Sequence, residues 1–541
     1  MGFPTKIQLI KRAASEQWYV NFPSAVAQAM ELQKGEVVEW VIEDKQRLTL
    51  KRTNQPVELE KKNYALSLTD ELDSLFNECH PAFSSHRAWA KSRELMYGEL
   101  TCLGRHTVTG MLTASGNQFC DWSGAYRLFS EQRVDLPRIM QVVQANVLKE
   151  ASCLPYVVAH LDDTVIKKTG RLIPGTAWRR DPLGPRFQTN LVWGQRFIQL
   201  SLALPREGQI GQSRAIPVDF HHCPTAVRPR QPAEEERWQA YREEKKAARL
   251  SRQGSERIAL LRRALDDQGY RDKELVVGVD GSYTNKEVLR KLPRGTTLVG
   301  RVRKDTKLYG LPQAKPGSGR KCVYGTRLPT PEEVRRSDQV PWQQVEAWAA
   351  GKAHRFDIKV VRDARWRSAG PQNLTLVVVR PLGYRLSKGS RMLYREPAYL
   401  ICTETGLDIQ AILQAYLWRW EIEVDFREEK TLLGCGQAQV RNPNSAESLP
   451  AFVAALYGLL HLASHRAAAS PNAAMLPRPK WYRREDAKRI TTGDLLNNLR
   501  AQLWAKAANQ NFSDFVNSQI KTRSLRNEPS YNGSAAFYVR N

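Results

Sequence analysis

Apolar and polar positions divide the first part of the chain into two regions of different character. Residues 5–52 carry short apolar runs typical of strands, with one helical run among them: KIQLI, QWYVNF, PSAVAQAMEL, VVEWVI and RLTLK. From about 65 to 150 the apolar residues recur at helical spacing, and Ser, Thr and Gly interrupt them often. We therefore predict a small β-module over 1–55 and a helical domain over 60–150. The short, interrupted helices suggest DNA binding, and because no helix-turn-helix pattern is resolved, a purely structural helical domain is the alternative.

The pattern then changes to strands separated by helices. Buried strands are predicted in LPYVVAHLDDT, FQTNLVWGQRFIQLSLALP, KELVVGVDGSY and TTLVGRVR, and a charged helix is predicted over about 232–269. This alternation is typical of a mixed α/β domain, whose first part we place at 151–305.

Strand-like pieces continue through 306–405, a segment rich in Pro, Gly and Arg that predicts a β-rich insertion domain. A helix at about 408–433 and a strongly apolar one after 440 predict the second part of the α/β domain, over 406–465. The remainder, 466–541, predicts a basic helical region.

The distribution of charge adds a partner to this picture. The chain holds 82 Lys and Arg against 56 Asp and Glu, a formal net charge of +26. Residues 281–410 carry 25 basic and 11 acidic residues, and residues 471–541 carry 12 and 5. So uneven an excess predicts a polyanionic partner, and nucleic acid is the best candidate.

Other classes of protein are disfavoured by what the sequence lacks. Eight cysteines are scattered without a CxxC pair, which fits neither a disulfide framework nor a zinc ribbon and indicates a reducing cytoplasm. No run of 18 apolar residues and no secretory h-region are present, so we expect no membrane association.

Three acidic residues lie where a catalytic site would form. Asp163 and Asp280 each end a predicted strand, and Glu423 lies on the helix at 408–433. Functional groups of α/β sheets gather at strand ends, and carboxylates brought together there repel one another unless a divalent cation such as Mg²⁺ neutralises them. A single strand-end Asp is more often a helix cap or turn former. Together the acids predict an RNase H-like core that holds two Mg²⁺ or Mn²⁺ ions about 4 Å apart for phosphodiester chemistry.

The helix at 408–433 supports the catalytic interpretation. At about 100° per residue, Tyr416, Arg419, Glu423 and Lys430 fall at about 0°, −60°, −20° and −40° around its axis. A carboxylate, a phenol and two cations therefore share one narrow stripe.

The spacing Tyr-x2-Arg-x3-Glu-x6-Lys resembles the Y-R-E-K signature of DDE transposases of the insertion sequence four superfamily. LDDTVIKKTG and VVGVDGSYTN resemble that group's insertion-sequence seven-hundred-one-like branch. The resemblance covers about 100–465 and implies an RNase H-like catalytic core interrupted by a β-rich insertion domain, with a small N-terminal β-module and helical flanking domains outside it.

The resemblance implies roles for individual residues. Asp163, Asp280 and Glu423 match the catalytic, metal-binding acids, although the residues alone leave Asp162 and Asp163 open as the first ligand. Tyr416, Arg419 and Lys430 match residues that hold phosphates of the DNA end, a use that suits a hydroxyl, a planar fork and a point charge. Trp420 lies where relatives place an aromatic near the terminal base, and core packing is the equal alternative.

The implied activity is cut-and-paste transposition by a homodimer on double-stranded DNA. The substrates are terminal inverted repeats and target DNA, and cleavage proceeds through a hairpin intermediate. Two alternatives stay open: a domesticated transposase that acts as a DNA-binding regulator, and an RNase H-like DNA nuclease. The implied location is the cytoplasm, at the bacterial nucleoid.

Residues 5–52 carry a second resemblance. Phe22-Pro23, the following helix and the run Leu32-Gln33-Lys34-Gly35-Glu36 resemble the AbrB/MazE-type swapped-hairpin domain, which binds DNA as an interleaved dimer. The family's Gly-Arg pair is replaced by Glu16-Gln17, so DNA contacts are not carried over and a purely dimerising module is the alternative.

Overall fold

The structure is a computed structural model. It describes residues 7–12, 15–20, 38–42, 48–52, 67–152, 154–181, 184, 189–206, 211–313, 321–385, 389–468 and 489–507. The chain forms two compact units, Met1–Ala65 and Leu66–Asn541.

The first unit contains four short strands where the apolar runs predict them. Strands β1 (Ile7–Arg12) and β2 (Ser15–Val20) form one antiparallel pair, and β3 (Val38–Ile42) and β4 (Leu48–Arg52) form another. The predicted helix between these pairs lies outside the described residues.

The second unit begins with helices. They are α1 (Leu68–Glu78), α2 (His86–Thr101), α3 (Val108–Ala114), α4 (Ser123–Ser130) and α5 (Leu136–Glu150). Helix α1 starts in a capping box, because the Ser67 hydroxyl accepts from the Asp70 amide and the Asp70 carboxylate accepts from the Ser67 amide. Leu72, Leu75 and Phe76 are fully buried, so the helical spacing seen in the sequence marks the core-facing side.

An 11-stranded mixed sheet forms the centre of this unit. Its strands are β5 (Tyr156–Lys167), β6 (Ala177–Arg180), β7 (Leu191–Pro205), β8 (Ser213–His222), β9 (Glu274–Val279), β10 (Thr296–Arg301), β11 (Leu308–Tyr309), β12 (Gln343–Ala349), β13 (Lys352–Trp366), β14 (Asn373–Val379) and β17 (Ala398–Cys402). Strands β15 (Gly383–Tyr384) and β16 (Leu393–Tyr394) form a separate antiparallel pair.

The middle of the sheet has the order β8-β7-β5-β9-β10. Strand β5 runs antiparallel to β7 and parallel to β9, and β9 runs parallel to β10. The mixed α/β class predicted from the sequence is confirmed.

Strands from the predicted insertion, 306–405, extend this same sheet. β17 pairs with β10, and β14, β13, β12 and β11 follow outward. The segment is β-rich as predicted, but most of its strands continue the core sheet instead of forming a sheet of their own. Pairing with β17 satisfies backbone groups of β10 that would otherwise lie at an open edge.

Further helices cover both faces of the sheet. They are α6 (Glu235–Ala247), α7 (Leu250–Asp267), α8 (Lys286–Leu289), α9 (Pro331–Arg336), α10 (Ile409–Trp418), α11 (Trp420–Thr431), α12 (Pro443–Ala468) and α13 (Thr492–Ala507). Ile258 of α7 packs in one apolar cluster with Leu161 of β5, whereas Ile412 of α10 packs in a second cluster with Val158. Alternate residues of β5 therefore face different helices.

Among the residues that the structure describes, α12 is the one helix that is long and apolar enough to cross a membrane. However, 89% of its most apolar window is buried inside the protein, where α1, α5 and β8 contact it. This burial is what a core helix requires.

Candidate active site

The pairing of β5 with β9 brings two acids together. Their parallel register pairs His160 with Gly278 and Leu161 with Val279. One residue further along, Asp162 lies beside Asp280, which directly follows the end of β9. Paired residues of a ladder point to the same face of the sheet, so these two carboxylates are neighbours.

Asp163 points to the opposite face. Its Oδ1 accepts a hydrogen bond from the Tyr283 hydroxyl at 3.1 Å, and its Oδ2 lies 3.4 Å from Nε of Arg196. Tyr283 packs there against α7, near Gly254. The sequence predicts that Asp163 joins Glu423; in this structure the alternation of side chains along β5 places Asp162, and not Asp163, on the face that carries Arg419 and Glu423.

Arg419 connects the sheet to the carboxylate of the later helix. One guanidinium nitrogen lies 3.1 Å from Oδ2 of Asp162, and the other lies 2.9 Å from Oε1 of Glu423. The side chain of Arg419 is only 12% exposed, whereas that of Glu423 is 38% exposed. The guanidinium carbon of Arg419 also lies 5.7 Å from the centre of the Tyr416 ring. Three members of the predicted stripe thus contact one another beside Asp162.

The predicted single helix at 408–433 is two helices that meet at Arg419. The Arg419 amide donates to the carbonyl of Tyr416 at 3.2 Å, a tighter turn than the α-helical one. The residue keeps helical dihedral angles, φ −53° and ψ −29°. The change at this point is therefore small, and the stripe remains on the side of β5.

Lys430 lies further along the same face of β5. Its ammonium group donates a hydrogen bond to the Thr164 hydroxyl, two residues after Asp162. Burial lowers the pKa of Lys430. The order of contacts along the strand, Asp162 and then Thr164, matches the order along the helix, Arg419 and then Lys430.

The two tryptophans beside Arg419 have different environments. Trp418 is buried, and its indole NH donates to the carbonyl of Gly211 at 3.0 Å. Trp420 is 61% exposed. Core packing therefore accounts for Trp418, while the ring of Trp420 faces solvent, one residue after Arg419 in the chain.

The pKa of the Asp162 carboxyl reflects its burial and the charged groups beside it. Burial raises the pKa of its carboxyl to about 7, and the negative charge of Asp280 adds to the rise, while Arg419 opposes it. Oδ1 of Asp280 accepts from the amide and hydroxyl of Ser282, at 2.9 and 2.6 Å, so this acid also forms the turn that follows β9. Its other oxygen, Oδ2, has no hydrogen-bond partner among the described residues.

A glycine lets the helix approach the sheet at this point. A Cβ at Gly278 would lie 3.1 Å from the His160 ring and 3.4 Å from the carbonyl of Ala415 on α10. His160 is fully buried, and burial together with Arg419 lowers its pKa to about 3. The imidazole is therefore neutral beneath Arg419.

The acids fit a hard divalent cation by their chemistry, because two neighbouring carboxylates offer the oxygen ligands that Mg²⁺ prefers. Within the part of the chain that the structure describes, no three His, Cys, Asp or Glu side chains converge on one metal position. Arg419 lies between Asp162 and Glu423 and neutralises both. The residues suited to hold a cation are Asp162, Asp280 and, once Arg419 releases it, Glu423.

A second group of acids lies behind the site and was missed from the sequence. Asp425 and Glu428 point into the protein, where the Tyr457 hydroxyl lies 3.2 and 2.9 Å from their carboxylates. The Thr492 hydroxyl of α13 also donates to Glu428. In the sequence, the helical spacing that places Asp425 and Glu428 on the opposite side of α11 from Glu423 could have indicated that they face the interior. Their hydrogen bonds connect α11 to α12 and α13.

Glu429 provides a prediction about pH. It is 1% exposed, its Oε1 has no partner among the described residues, and burial raises its pKa to about 8 from an ordinary value near 4.5. A carboxyl that binds its proton more tightly in the folded state lowers stability as pH rises from its unfolded to its folded pKa. We expect Glu429→Gln, which mimics the protonated form, to melt with wild type at pH 5 and a few degrees above it at pH 9.

Thermal unfolding followed by circular dichroism from pH 5 to 9 measures this difference. Glu447→Gln, at an exposed position of α12, is the matched control and should follow wild type throughout. A Glu429→Gln protein that melts below wild type at pH 9 would contradict the assignment of a buried, protonated carboxyl.

Comparison with known families agrees with this geometry. The family described as DDE superfamily endonuclease matches residues 78–368, more than half of the chain. The match includes Asp162, Asp163 and Asp280, and Glu423 lies beyond its end. No curated protein matches the chain. Nucleases of this superfamily generally use divalent metal ions, and DNA is the substrate that the family implies. The chain therefore belongs to the DDE superfamily endonucleases, enzymes of the nuclease and transposase type.

Proposed function

We propose that this protein is a cut-and-paste DNA transposase that cleaves transposon ends and joins them to target DNA. The observation that carries the proposal is the contact of Arg419 with both Asp162 and Glu423, next to Asp280. Acids from two parallel strands and a later helix meet there, together with cationic and phenolic groups suited to phosphate. The catalytic set we propose is Asp162, Asp280 and Glu423.

The stripe on α10 and α11 would hold the DNA end. Arg419 and Lys430 are poorly exposed cations whose present partners are protein oxygens. A phosphodiester that enters beside Glu423 offers Lys430 a charged acceptor in place of the neutral Thr164 hydroxyl, and charged acceptors form stronger hydrogen bonds. It offers Arg419 an anionic partner that can replace Asp162 and Glu423 when these bind a cation. The Tyr416 hydroxyl would add a neutral phosphate contact, and exposed Trp420 would stack on a base near the cleaved end.

Asp162, Asp280 and Glu423 would bind Mg²⁺ or Mn²⁺, which supplies Lewis-acid activation of the attacking oxygen and stabilises the leaving oxygen; we propose two ions. The protein's own contribution is position. The β5–β9 register fixes Asp162 and Asp280 side by side, while the turn at Ser282 holds one oxygen of Asp280. Because Glu423 remains more exposed than Asp162, substrate would approach from the side of α11.

The basic segment 281–410 favours a transposase over a simple nuclease. Its 25 basic residues exceed its 11 acidic ones, and its strands extend the catalytic sheet. A sheet enlarged beside the acids offers more surface for DNA than cleavage of a single bond requires. We propose that this segment grips DNA during a hairpin intermediate and that two subunits pair two transposon ends.

Residues 1–55 of the other unit are proposed to be an AbrB/MazE-like module that binds DNA or pairs subunits. The hairpin pairs β1–β2 and β3–β4 support this assignment in part. The protein is proposed to act in the cytoplasm at the nucleoid.

The proposal is tested with a DNA that carries the terminal repeats flanking the gene, incubated with the protein and Mg²⁺ or Mn²⁺. Wild type should give hairpin and strand-transfer products, and Glu423→Gln should lose both by at least about a thousandfold, since a metal-binding carboxylate stabilises the transition state by several kcal/mol. Products are resolved on denaturing gels. Glu447→Gln should retain full activity.

The alternatives give different results in the same assay. Cleavage without strand transfer would indicate an RNase H-like nuclease, and binding without any cleavage would indicate a DNA-binding regulator. Either result would overturn the proposed transposition.

A further inference from the structure

An open groove of about 1150 Å³ lies away from the acids, between the helical part of the large unit and its C-terminal helix. Its walls come from the end of α2 and the turn into α3, from residues 438–445, and from the last turns of α13. Its volume exceeds the range of about 300–1,000 Å³ that is usual for small-molecule pockets. The groove therefore has room for a ligand larger than a typical small molecule.

The groove has a single sign of charge. Arg105, Arg441 and Arg500 line it, and none of the described residues that line it is Asp or Glu. Arg105 and Arg441 are exposed, and neither has an ion-pair partner among the described residues. Arg500 donates only to neutral oxygens, including the carbonyls of Thr101 and Cys102 at 3.3 and 3.2 Å. Three uncompensated guanidinium groups along one groove favour a polyanion.

The remaining lining suits a sugar-phosphate backbone. Thr107, Thr109 and Thr113 place hydroxyl groups along one side, and hydroxyl and amide side chains commonly contact DNA phosphates. Trp504 is 48% exposed and Leu103 is 60% exposed, so each offers an apolar surface beside the charges. Such a surface packs well against deoxyribose.

Hydrogen bonds connect the groove to the strand that carries Asp162. Oε1 of Gln439, on the rim, accepts from the amides of Thr169 and Gly170, both at 3.1 Å. Thr169 lies seven residues beyond Asp162 and just after the end of β5, so the Cα atoms of the two residues are at most roughly 25 Å apart. Duplex DNA advances about 3.4 Å per base pair, so a duplex held at the acids can reach the rim of the groove within about seven base pairs.

We infer that this groove binds the phosphate backbone of duplex DNA that extends from the cleaved bond. The inference rests on the proposed function, because it makes the groove a second contact for the same DNA. Arg105 and Arg441 are phosphate-binding residues, and Arg500 shapes the groove and adds its charge.

The test measures binding of an arbitrary 40-base-pair duplex by fluorescence anisotropy, with the full chain, between 50 and 300 mM KCl. Arg105→Gln/Arg441→Gln should bind about tenfold more weakly at 100 mM, and the slope of log K against log salt should become shallower by about 2, as expected for two lost phosphate contacts. The matched control is Arg237→Gln/Arg242→Gln, which removes equal charge from exposed α6. The control should retain the wild-type slope, and all proteins should melt together.

Unchanged affinity and slope in the groove variant, or an equal loss in the control, would overturn the inference. If the groove variant lost affinity for a single-stranded 40-mer but not for the duplex, the assignment to duplex DNA would be overturned. Each of these results is distinct from failure of the proposed function, which would appear as wild-type protein that gives no cleavage or strand-transfer products.

Discussion

Asp162→Asn should abolish DNA cleavage, whereas Asp163→Asn should reduce it by no more than about tenfold. Asp162 lies beside Asp280 and contacts Arg419, so an amide there removes a charged oxygen from the site. Loss of such a carboxylate costs several kcal/mol of transition-state stabilisation, or at least about a thousandfold in rate. Single-turnover cleavage of a terminal-repeat duplex in Mn²⁺ measures both variants.

Asp163→Asn is the control because it changes the adjacent residue in the same way on the other face of β5. Its amide oxygen still accepts from the Tyr283 hydroxyl, so local packing is preserved. If Asp163→Asn were the inactive protein and Asp162→Asn the active one, the register argument would fail, and the first acid would be Asp163 as the sequence resemblance implies.

Arg419→Gln should have two effects of opposite sign. The guanidinium competes with a cation for Asp162 and Glu423, so its removal should strengthen Mn²⁺ binding to DNA-free protein by roughly tenfold or more. The same change removes a phosphate contact, so DNA-end cleavage should fall by about a hundredfold. Calorimetric titration with Mn²⁺ at pH 8.5, where the Asp162 carboxyl is ionised, measures the first effect.

A merely structural role for Arg419 would weaken both properties together. Arg427→Gln is the matched control, because Arg427 lies on the same helix with a side chain 65% exposed. Unchanged or weaker Mn²⁺ binding by Arg419→Gln would show that the guanidinium does not compete for the cation position. The expected result implies that DNA and metal bind cooperatively, since a phosphate that attracts Arg419 frees the carboxylates.

Several features of the fold could be predicted because they depend on local pattern. The long apolar runs before Asp162 and Asp280 predicted buried strands, and both are central strands of the sheet. The spacing of Tyr416, Arg419 and Glu423 predicted a shared helical face, and contacts join these residues. Helical spacing in 67–150 predicted the helices that surround Leu72 and Phe76.

Other features depend on pairings between distant segments. Strand β17 (residues 398–402, AYLIC) pairs with β10 because β10 would otherwise leave an open sheet edge. Nothing within AYLIC itself specifies that partner. The groove is formed by segments near residues 105, 441 and 500, which come together only through packing. The buried acids on α11 likewise have partners on α12 and α13.

The sequence by itself determined that this is a basic, mixed α/β protein with acids at strand ends and a carboxylate among phosphate-binding groups on a helix. Only the tertiary structure shows which of Asp162 and Asp163 faces Arg419 and the helix that carries Glu423. Adjacent residues of a strand face opposite sides of a sheet, and the chain alone does not state which side faces the helix. The β5–β9 register and the position of Arg419 settle that side, and they place Asp162 beside Asp280.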